Sequence, residues 1–364
     1  MASIAHHTSF CRRASIFRSV VSHRRLHWWR CRGVSLQLPS KSSKYRFGNV
    51  GSAKAMTATC AACDDSPAKS SLDECRGAFS RIGLSKIHWE CWSECNLHCK
   101  FCYRSVDTPL TFDNALQLIE ISRYAGIDRF VFAGGDPSLR SDLPALIDFA
   151  TSIGLSVELQ SNFQKFSKDL QERILDGKVA LTGISLDGGT ANKHDNFRST
   201  RGNFKAVINA LDFHEQAGRP AIVRTIVSRQ NSNCISDIGK LLTPYRCITR
   251  WSLLEFTPIG DGFTNRNIYS ISATEYEEIV ASAIESYEGL AEVDVFRASA
   301  KLGTYGMVTP AGLLYGVISP PSDGKYPIVG SMLERHLNDL ASSLPFDRQQ
   351  HLSRYSTQLL GGGV

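Results

Sequence analysis

Four cysteines and a histidine fall within sixteen residues of the chain, in ECWSECNLHCKFCYRS at residues 90–105. Thiols this close together can hold a zinc ion, a disulfide or an iron–sulfur cluster. Structural zinc takes a closed tetrahedron, usually from two separated cysteine pairs, and only one short cysteine loop occurs here. The spacing C-x3-C-x2-C of Cys95, Cys99 and Cys102 instead suits three irons of a [4Fe–4S] cluster, whose fourth iron stays open to an external ligand.

The remaining sulfur and nitrogen donors near this loop are weaker candidates. Cys91 lies just beyond a predicted strand, so we expect a buried thiol, with a fourth cluster ligand as the alternative. His98 is expected to be a loop residue and not a ligand. Cys60 and Cys63 form a C-x-x-C pair in a polar linker without strand or helix around it, so a redox role is not expected there.

Composition places the chain among globular proteins of a reducing compartment. It has 364 residues, 42% of them hydrophobic, and its eleven cysteines cluster instead of spreading as a disulfide framework would. The net charge of +6 comes from residues 1–63, which hold eight Arg, three Lys and no acid, whereas the rest of the chain carries 30 basic and 35 acidic residues. A basic surface for nucleic acid is therefore not expected.

The acid-free first 63 residues predict an organelle transit peptide. They are rich in Ser and Arg, and a helix over residues 10–28 would bring apolar side chains to one face and arginines to the other. A disordered basic leader and a membrane-surface helix are the alternatives. We expect import into the mitochondrion, with the plastid as the alternative, and no transmembrane segment because no apolar run of 18 residues occurs.

Short apolar runs alternate with helical patterns about six times after the linker. This alternation indicates parallel strands joined by right-handed crossovers, and six units are too few for a closed barrel of eight. The sequence therefore predicts an α/β fold, a partial (β/α)6 barrel whose chemistry lies on loops after the strands. The predicted strands are residues 86–90, 129–135, 155–162, 179–187, 221–228 and 250–258.

The chain divides into five predicted segments. Residues 1–63 are the leader, 64–83 a linker and 84–260 the barrel core. Residues 261–345 form a short α+β extension that covers the barrel mouth, and 346–364 form a flexible tail. Within the extension, the glycine-punctuated stretch 299–318 is predicted to be a lid over the mouth, or alternatively a β-ribbon that caps an open edge of the barrel.

The cysteine loop and its following motifs resemble the radical S-adenosylmethionine (SAM) enzymes. Phe101 precedes the last cysteine, AGGDP at 133–137 ends the second strand, and QSN at 160–162, SLD at 185–187 and HDNFR at 194–198 follow in the usual order. The resemblance implies two cofactors, a [4Fe–4S] cluster and SAM, which is cleaved reductively to give a 5′-deoxyadenosyl radical. Since only Cys234 and Cys247 follow the loop, a second [4Fe–4S] cluster is not expected.

Individual roles follow from the resemblance. Cys95, Cys99 and Cys102 would ligate the cluster. Backbone at Gly134 and Gly135 would approach the methionine ammonium of SAM. Asp136, where the family usually has Glu, or neighbouring carbonyls would accept its hydrogen bonds. The other groups implied to bind SAM are Asn162 and Ser185 at the ribose or carboxylate, Arg198 at the carboxylate, and Phe101 or Tyr103 at the adenine.

The substrate is predicted to be a small molecule, with a nucleotide as one candidate. RTIVSRQN at 224–231, RWSLLEFTPI at 250–259 and K-x3-Y are similar to stretches of viperin-type nucleotide dehydratases. Arg201, Arg229, Lys301 and Tyr305 are the candidate substrate residues. The alternatives are a non-catalytic iron–sulfur or zinc protein, and a radical SAM enzyme acting on a peptide, a protein or RNA. A ferredoxin or flavodoxin is the expected electron donor.

Overall fold

The predicted alternation of strands and helices is the architecture of the protein. The computed structural model describes residues 76–318, 322–334 and 336–359. All six predicted strands are present and pair in parallel in chain order, so the predicted (β/α)6 partial barrel is confirmed. They are β1 (Lys86–Trp92), β2 (Arg129–Gly134), β3 (Ser156–Ser161), β4 (Val179–Ser185), β5 (Ala221–Val227) and β6 (Ile248–Glu255).

Helices connect these strands and bury one apolar face each. For example, Ala115, Leu118 and Ile119 of α2 pack in one core cluster with Phe130 and Phe132 of β2. Spacing of three and four residues puts such side chains on one side of a helix, as the sequence predicted. The helices before β7 are α1 (Ala78–Ile82), α2 (Phe112–Tyr124), α3 (Leu143–Ser152), α4 (Lys168–Leu175), α5 (Ala191–Phe197), α6 (Asn203–Ala217), α7 (Ile235–Leu242), α8 (Asp261–Thr264), α9 (Arg266–Tyr269) and α10 (Ala273–Glu285).

The segment after residue 260 extends the sheet at both of its edges. β7 (Glu292–Phe296) is a seventh parallel strand beside β6, which the sequence did not predict. β8 (Gly306–Val308) pairs in parallel with β1, and β9 (Leu313–Gly316) and β10 (Ile328–Ser331) continue the sheet with antiparallel pairing. The strand order is β10-β9-β8-β1-β2-β3-β4-β5-β6-β7. Residues 306–316 thus form the β-ribbon that was the alternative to a lid, and this ribbon covers the β1 edge.

Within the predicted flexible tail, residues 348–359 are helical, and residues 360–364 lie outside the described residues. Helix α11 (Leu337–Ser343) is followed by α12 (Arg348–Leu359). His351 in α12 is buried, its Nδ1 lies 2.9 Å from the carbonyl oxygen of Thr304, and its ring packs against Phe346 at 4.9 Å. Burial of this side chain attaches the start of α12 to the barrel, which the polar sequence after residue 346 does not reveal.

Two predictions on the first part of the chain lie outside the described residues. The leader at 1–63 does so entirely, as does residue range 64–75 of the linker. In the part of the chain that the structure describes, no helix is long and apolar enough to cross a membrane.

Candidate active site

A cavity of about 270 Å³ lies at the edge of the sheet where β1 to β6 end. Parallel strands bring the loops after each strand to this edge, so residues far apart in sequence meet there. Most of the predicted site residues line the cavity: Cys95, Cys99, Phe101, Cys102, Tyr103, Gly134, Gly135, Asn162, Ser185, Arg198, Lys301 and Tyr305. Asp136, Arg201 and Arg229 do not.

The three cysteines of the loop after β1 all face this cavity. The backbone N–H of Leu97 and the side-chain amide of Asn162 donate to Cys95 Sγ at 3.4 and 3.5 Å. Burial raises the pKa of Cys99 to about 12 and that of Cys102 to about 11. A thiol in such surroundings becomes a thiolate when a metal cation binds it, and N–H donors to sulfur are typical of iron–sulfur sites. The donor set therefore fits a [4Fe–4S] cluster.

The side-chain positions also show whether the cysteine loop suits a zinc ion and whether Cys91 could be a fourth cluster ligand. Among the described residues, no three His, Cys, Asp or Glu side chains converge on a point that one ion could occupy. A zinc ion requires such convergence, whereas a cubane binds each thiolate through a different iron. Cys91 is fully buried within β1 and does not line the cavity, and burial raises the pKa of its thiol to about 12.

Gly134 and Gly135 let the loop after β2 lie directly against the cysteine loop. A Cβ at Gly134, where φ is 129°, would lie 2.6 Å from the carbonyl oxygen of Trp92, and a Cβ at Gly135 would overlap the backbone of Glu94. The N–H of Gly135 donates to Trp92 O at 2.7 Å. Glycine is thus required for contact between the two loops, in addition to lining the cavity as predicted.

Asp136 does not face the cavity, which corrects its predicted contact with the ammonium of SAM. The carboxylate is fully buried and accepts from Ser138 N at 2.9 Å, Asn162 N at 2.8 Å and Ser161 Oγ at 3.0 Å. Burial raises the pKa of Asp136 above its ordinary value. The hydrogen bonds favour the charged carboxylate and partly oppose this rise. The Asp136 side chain contacts the end of β3 and not the cavity. Its hydrogen bond to the backbone of Asn162 positions that residue, whose side-chain amide donates to Cys95 Sγ.

Arg198 lines the cavity from behind the cysteine loop. Its Nε donates to Asp187 Oδ2 at 2.7 Å, and its carbonyl oxygen lies 3.5 Å from Cys99 Sγ. The guanidinium carbon lies 5.6 Å from the centre of the Phe101 ring, which packs on Phe197 at 4.4 Å. A cation held in this way beside the thiols favours their charged form.

The four predicted substrate residues separate into two pairs. Lys301 and Tyr305 line the cavity, with Lys301 Nζ 2.8 Å from Thr257 Oγ1 and the Tyr305 ring 5.1 Å from that of His88. Arg201 and Arg229 are exposed and lie outside the cavity, which corrects their predicted role in binding triphosphate there.

The sequence analysis missed several residues that line the cavity, and most of them lie inside strands. His88, Gln160 and Arg224 line the cavity from β1, β3 and β5, and Tyr315 and Tyr326 line it from the ribbon side. One signal was present in β1. Its polar residues stand at every second position, and Lys86, His88 and Glu90 are all buried. Alternating polar residues in a strand that is covered on both faces indicate a polar barrel interior.

Comparison with known proteins agrees with the family resemblance predicted from the sequence. Residues 89–242 match the model of the radical SAM superfamily. An AdoMet-dependent heme synthase of Oleidesulfovibrio alaskensis is 33% identical over 199 residues, which cover 53% of this chain and 51% of that protein. An S-adenosylmethionine-dependent nucleotide dehydratase of Lacinutrix mariniflava is 23% identical over 290 residues, covering 74% of this chain and 58% of that protein. The chain spans about half the length of the curated relatives it matches.

A solved structure has the same fold. SuiB of Streptococcus suis, in a crystal structure bound to S-adenosylmethionine, superimposes with a TM-score of 0.57 at 13% sequence identity, over 77% of this chain and 71% of that one. At this identity the likeness concerns the fold alone. The matched residues 89–242 and the named relatives confirm the resemblance read from the sequence: the barrel of this chain contains a radical SAM domain, of the family that uses a [4Fe–4S] cluster and SAM.

Proposed function

We propose that this protein cleaves SAM reductively and removes a hydrogen atom from an anionic small molecule bound in the same cavity. One observation carries the proposal. The thiols of Cys95, Cys99 and Cys102 share their cavity with the cationic side chains of Arg224 and Lys301. A protein that only stored a cluster would have no need for a polar chamber next to the thiols.

The chain's own residues hold, orient and enclose the reacting groups. When bound, the cluster and SAM supply one-electron cleavage of a carbon–sulfur bond and the hydrogen abstraction that follows it. The side-chain amide of Asn162 donates to Cys95 and so positions the cysteine loop. Arg198 places a positive charge beside Cys99. Aromatic and aliphatic side chains from the β6, β7 and β8 side complete the cavity wall and limit access of water. These include Phe256, Phe296 and Met307.

The cavity wall supports an anionic substrate that contains a ring, and a nucleotide is our first candidate. Arg224 and Lys301 can pair with phosphate or carboxylate groups. Tyr103, Tyr305, Tyr315 and Tyr326 offer ring faces and hydroxyl groups to a base or sugar. Similarity to a nucleotide dehydratase along 74% of the chain agrees with this choice. A peptide, protein or RNA substrate is the alternative that a substrate screen would reveal.

Anaerobic reconstitution with iron and sulfide tests the proposal. The wild-type protein should become brown and, with SAM and dithionite, release 5′-deoxyadenosine. Cys99→Ala should lose both properties, because an iron without its thiolate leaves the cluster labile. The matched variant Cys91→Ala removes a buried thiol outside the cavity and should keep both. A colourless zinc protein, or a brown protein that never cleaves SAM, would exclude the proposed function.

A further inference from the structure

The charges that line the cavity are not balanced by the protein itself. Three cationic side chains line it, Arg198, Arg224 and Lys301, whereas none of the described Asp or Glu residues does. Arg198 Nε donates to Asp187, and Lys301 Nζ donates to Thr257 Oγ1 at 2.8 Å. The guanidinium of Arg224 makes no hydrogen bond or ion pair with another residue that the structure describes. One positive charge in the cavity is therefore open to a ligand.

The buried acid whose charge interacts with Arg224 is already paired. This acid is Glu158 on β3. Both of its carboxylate oxygens accept from Lys86 Nζ, at 2.6 and 2.7 Å, and Arg129 lies 4.0 Å away. Burial lowers the pKa of Lys86 to about 8; Glu158 opposes this shift, and the positive charge of Arg224 adds to it. Three cations thus share one carboxylate, and Arg224 is the one of them that lines the cavity.

The other acids buried beside the cavity have partners of their own. The Asp136 carboxylate accepts hydrogen bonds from the end of β3, and Glu90 contacts Ser105 and Tyr315. Neither acid lines the cavity. In the described part of the chain, no carboxylate therefore stands opposite the guanidinium of Arg224 across the cavity.

The guanidinium of Arg224 lies inside the barrel and not at the ends of its strands. A Cβ at Gly183, in the middle of β4, would lie 3.5 Å from Arg224 Nε and 3.2 Å from Gln160 Cγ. Because Gly183 has no side chain, these two side chains can lie over β4 at this depth. Ser185 ends β4 two residues further along, roughly 7 Å nearer to the edge of the sheet that carries the cysteine loop.

Gln160 and His88 complete the polar surface around Arg224. Gln160 Nε2 lies 3.4 Å from His88 Nδ1, and both side chains line the cavity. With one N–H directed at His88, the amide has a second N–H for a ligand. The guanidinium adds a planar fork of N–H donors, which matches two oxygens of a carboxylate or phosphate. We call these three residues, His88, Gln160 and Arg224, the barrel floor.

We propose that the barrel floor binds an oxyanion of the substrate, a carboxylate or a phosphate, and so holds the substrate with its acidic end inside the barrel and its reacting carbon toward the cysteine loop. This inference rests on the proposed function and adds to it the place and direction of binding. Fixing one end of the substrate presents the hydrogen atom at the other end in a defined position. A neutral substrate of the same shape would leave Arg224 unpaired, so the barrel floor also selects against it.

Stabilisation of the reconstituted protein by small anions tests the barrel floor although the substrate is unidentified. Anaerobic thermal unfolding is followed by circular dichroism in chloride, and with about 50 mM phosphate or succinate at the same ionic strength. At least one oxyanion should raise the unfolding midpoint of the wild type by about 2–3 °C relative to chloride, because a ligand that binds only the folded state stabilises it. The larger of the two shifts distinguishes a phosphate from a carboxylate site.

Three variants separate specific binding from general effects of salts. Arg224→Gln should remove the oxyanion shift and, in chloride, raise the midpoint by about 2 °C, because it removes an unpaired charge from the barrel interior. Arg224→Lys should keep part of the shift, since lysine retains the charge but not the planar fork. Arg201→Gln makes the matched replacement at an exposed position outside the cavity and should behave as the wild type.

Three results would overturn the proposal. They are an equal oxyanion shift in the wild type and Arg224→Gln, no shift in the wild type, and a lowered midpoint of Arg224→Gln in chloride, which would indicate a purely structural arginine. Saturating SAM gives a further test, because SAM carries a carboxylate. The shift should persist with SAM bound; its loss would assign Arg224 to SAM and contradict the proposal. A protein that shows the shift but releases no 5′-deoxyadenosine with dithionite would contradict the proposed function alone.

Discussion

Glu90 should make the protein less stable as the pH rises through neutrality. This carboxyl is fully buried at the end of β1. Its Oε2 accepts from Ser105 N at 3.1 Å and its Oε1 lies 3.2 Å from the hydroxyl of Tyr315. Burial raises the pKa of Glu90 to about 7, helped by the nearby charge of Asp107 and opposed by the two hydrogen bonds. The folded state thus favours the neutral acid.

The size of the effect follows from this pKa. Each unit of pKa difference corresponds to about 1.4 kcal/mol, so raising the pKa from 4.5 to about 7 amounts to about 3 kcal/mol. Because the folded protein binds the proton more tightly than the unfolded chain, the stabilisation is present below pH 4.5 and is lost as the pH rises through 7. Between pH 5 and pH 8 the loss should be about 2–3 kcal/mol.

Glu90→Gln tests this value because glutamine has the shape of the neutral acid. Its amide oxygen can accept from Ser105 and its NH2 group can donate to Tyr315. Urea unfolding of the cluster-free wild-type and variant proteins should show the variant gaining about 2–3 kcal/mol relative to the wild type between pH 5 and pH 8. Other titrating groups cancel in this difference. A stability difference that stays constant across this range would refute the raised pKa.

Three further predictions concern the site and the leader. Asp136→Asn should lower the free energy of unfolding by about 2–3 kcal/mol and reduce iron retention, because its NH2 group would face one of the two backbone N–H donors, that of Ser138 or that of Asn162. Denaturation and iron analysis check this. Lys301→Met should keep SAM cleavage by dithionite but raise the dissociation constant of CTP, used as an anionic probe in calorimetry, roughly tenfold. Residues 1–63 fused to a fluorescent reporter should direct it to mitochondria or, alternatively, plastids, and a diffuse cytosolic signal would contradict the proposed import.

The fold was predictable where local patterns decide it. Runs of Val, Ile and Phe between amphipathic helices locate the six core strands within a few residues, since strands buried on both faces read as continuous apolar segments. β7 was missed because EVDVF is short, and only Phe296 within it is buried. The ribbon of β8 and β9 depends on pairing with β1, more than 200 residues earlier in the chain. No local pattern encodes such a partner.

The site shows the same division between local and long-range information. The cysteine spacing and the motif order predicted the candidate cluster and SAM residues at one edge of the sheet, and the structure brings all of them except Asp136 together in one cavity. The directions of Asp136, Arg201 and Arg229 depend on which loop lies opposite each side chain, so the sequence alone misassigned them. Glu90 and His88 could have been found, since polar residues alternating along a buried strand must face a polar interior.

The central claim is that three cysteines hold the cluster and leave one iron for SAM. Electron paramagnetic resonance of the dithionite-reduced protein tests it most directly, because SAM binding to that iron alters the electronic structure of the cluster. We expect a signal of a reduced [4Fe–4S] cluster whose shape changes when SAM is added, in both the wild-type protein and Cys91→Ala. A signal that SAM leaves unchanged, or one that Cys91→Ala abolishes, would show that no iron is open and would contradict the assignment of the site.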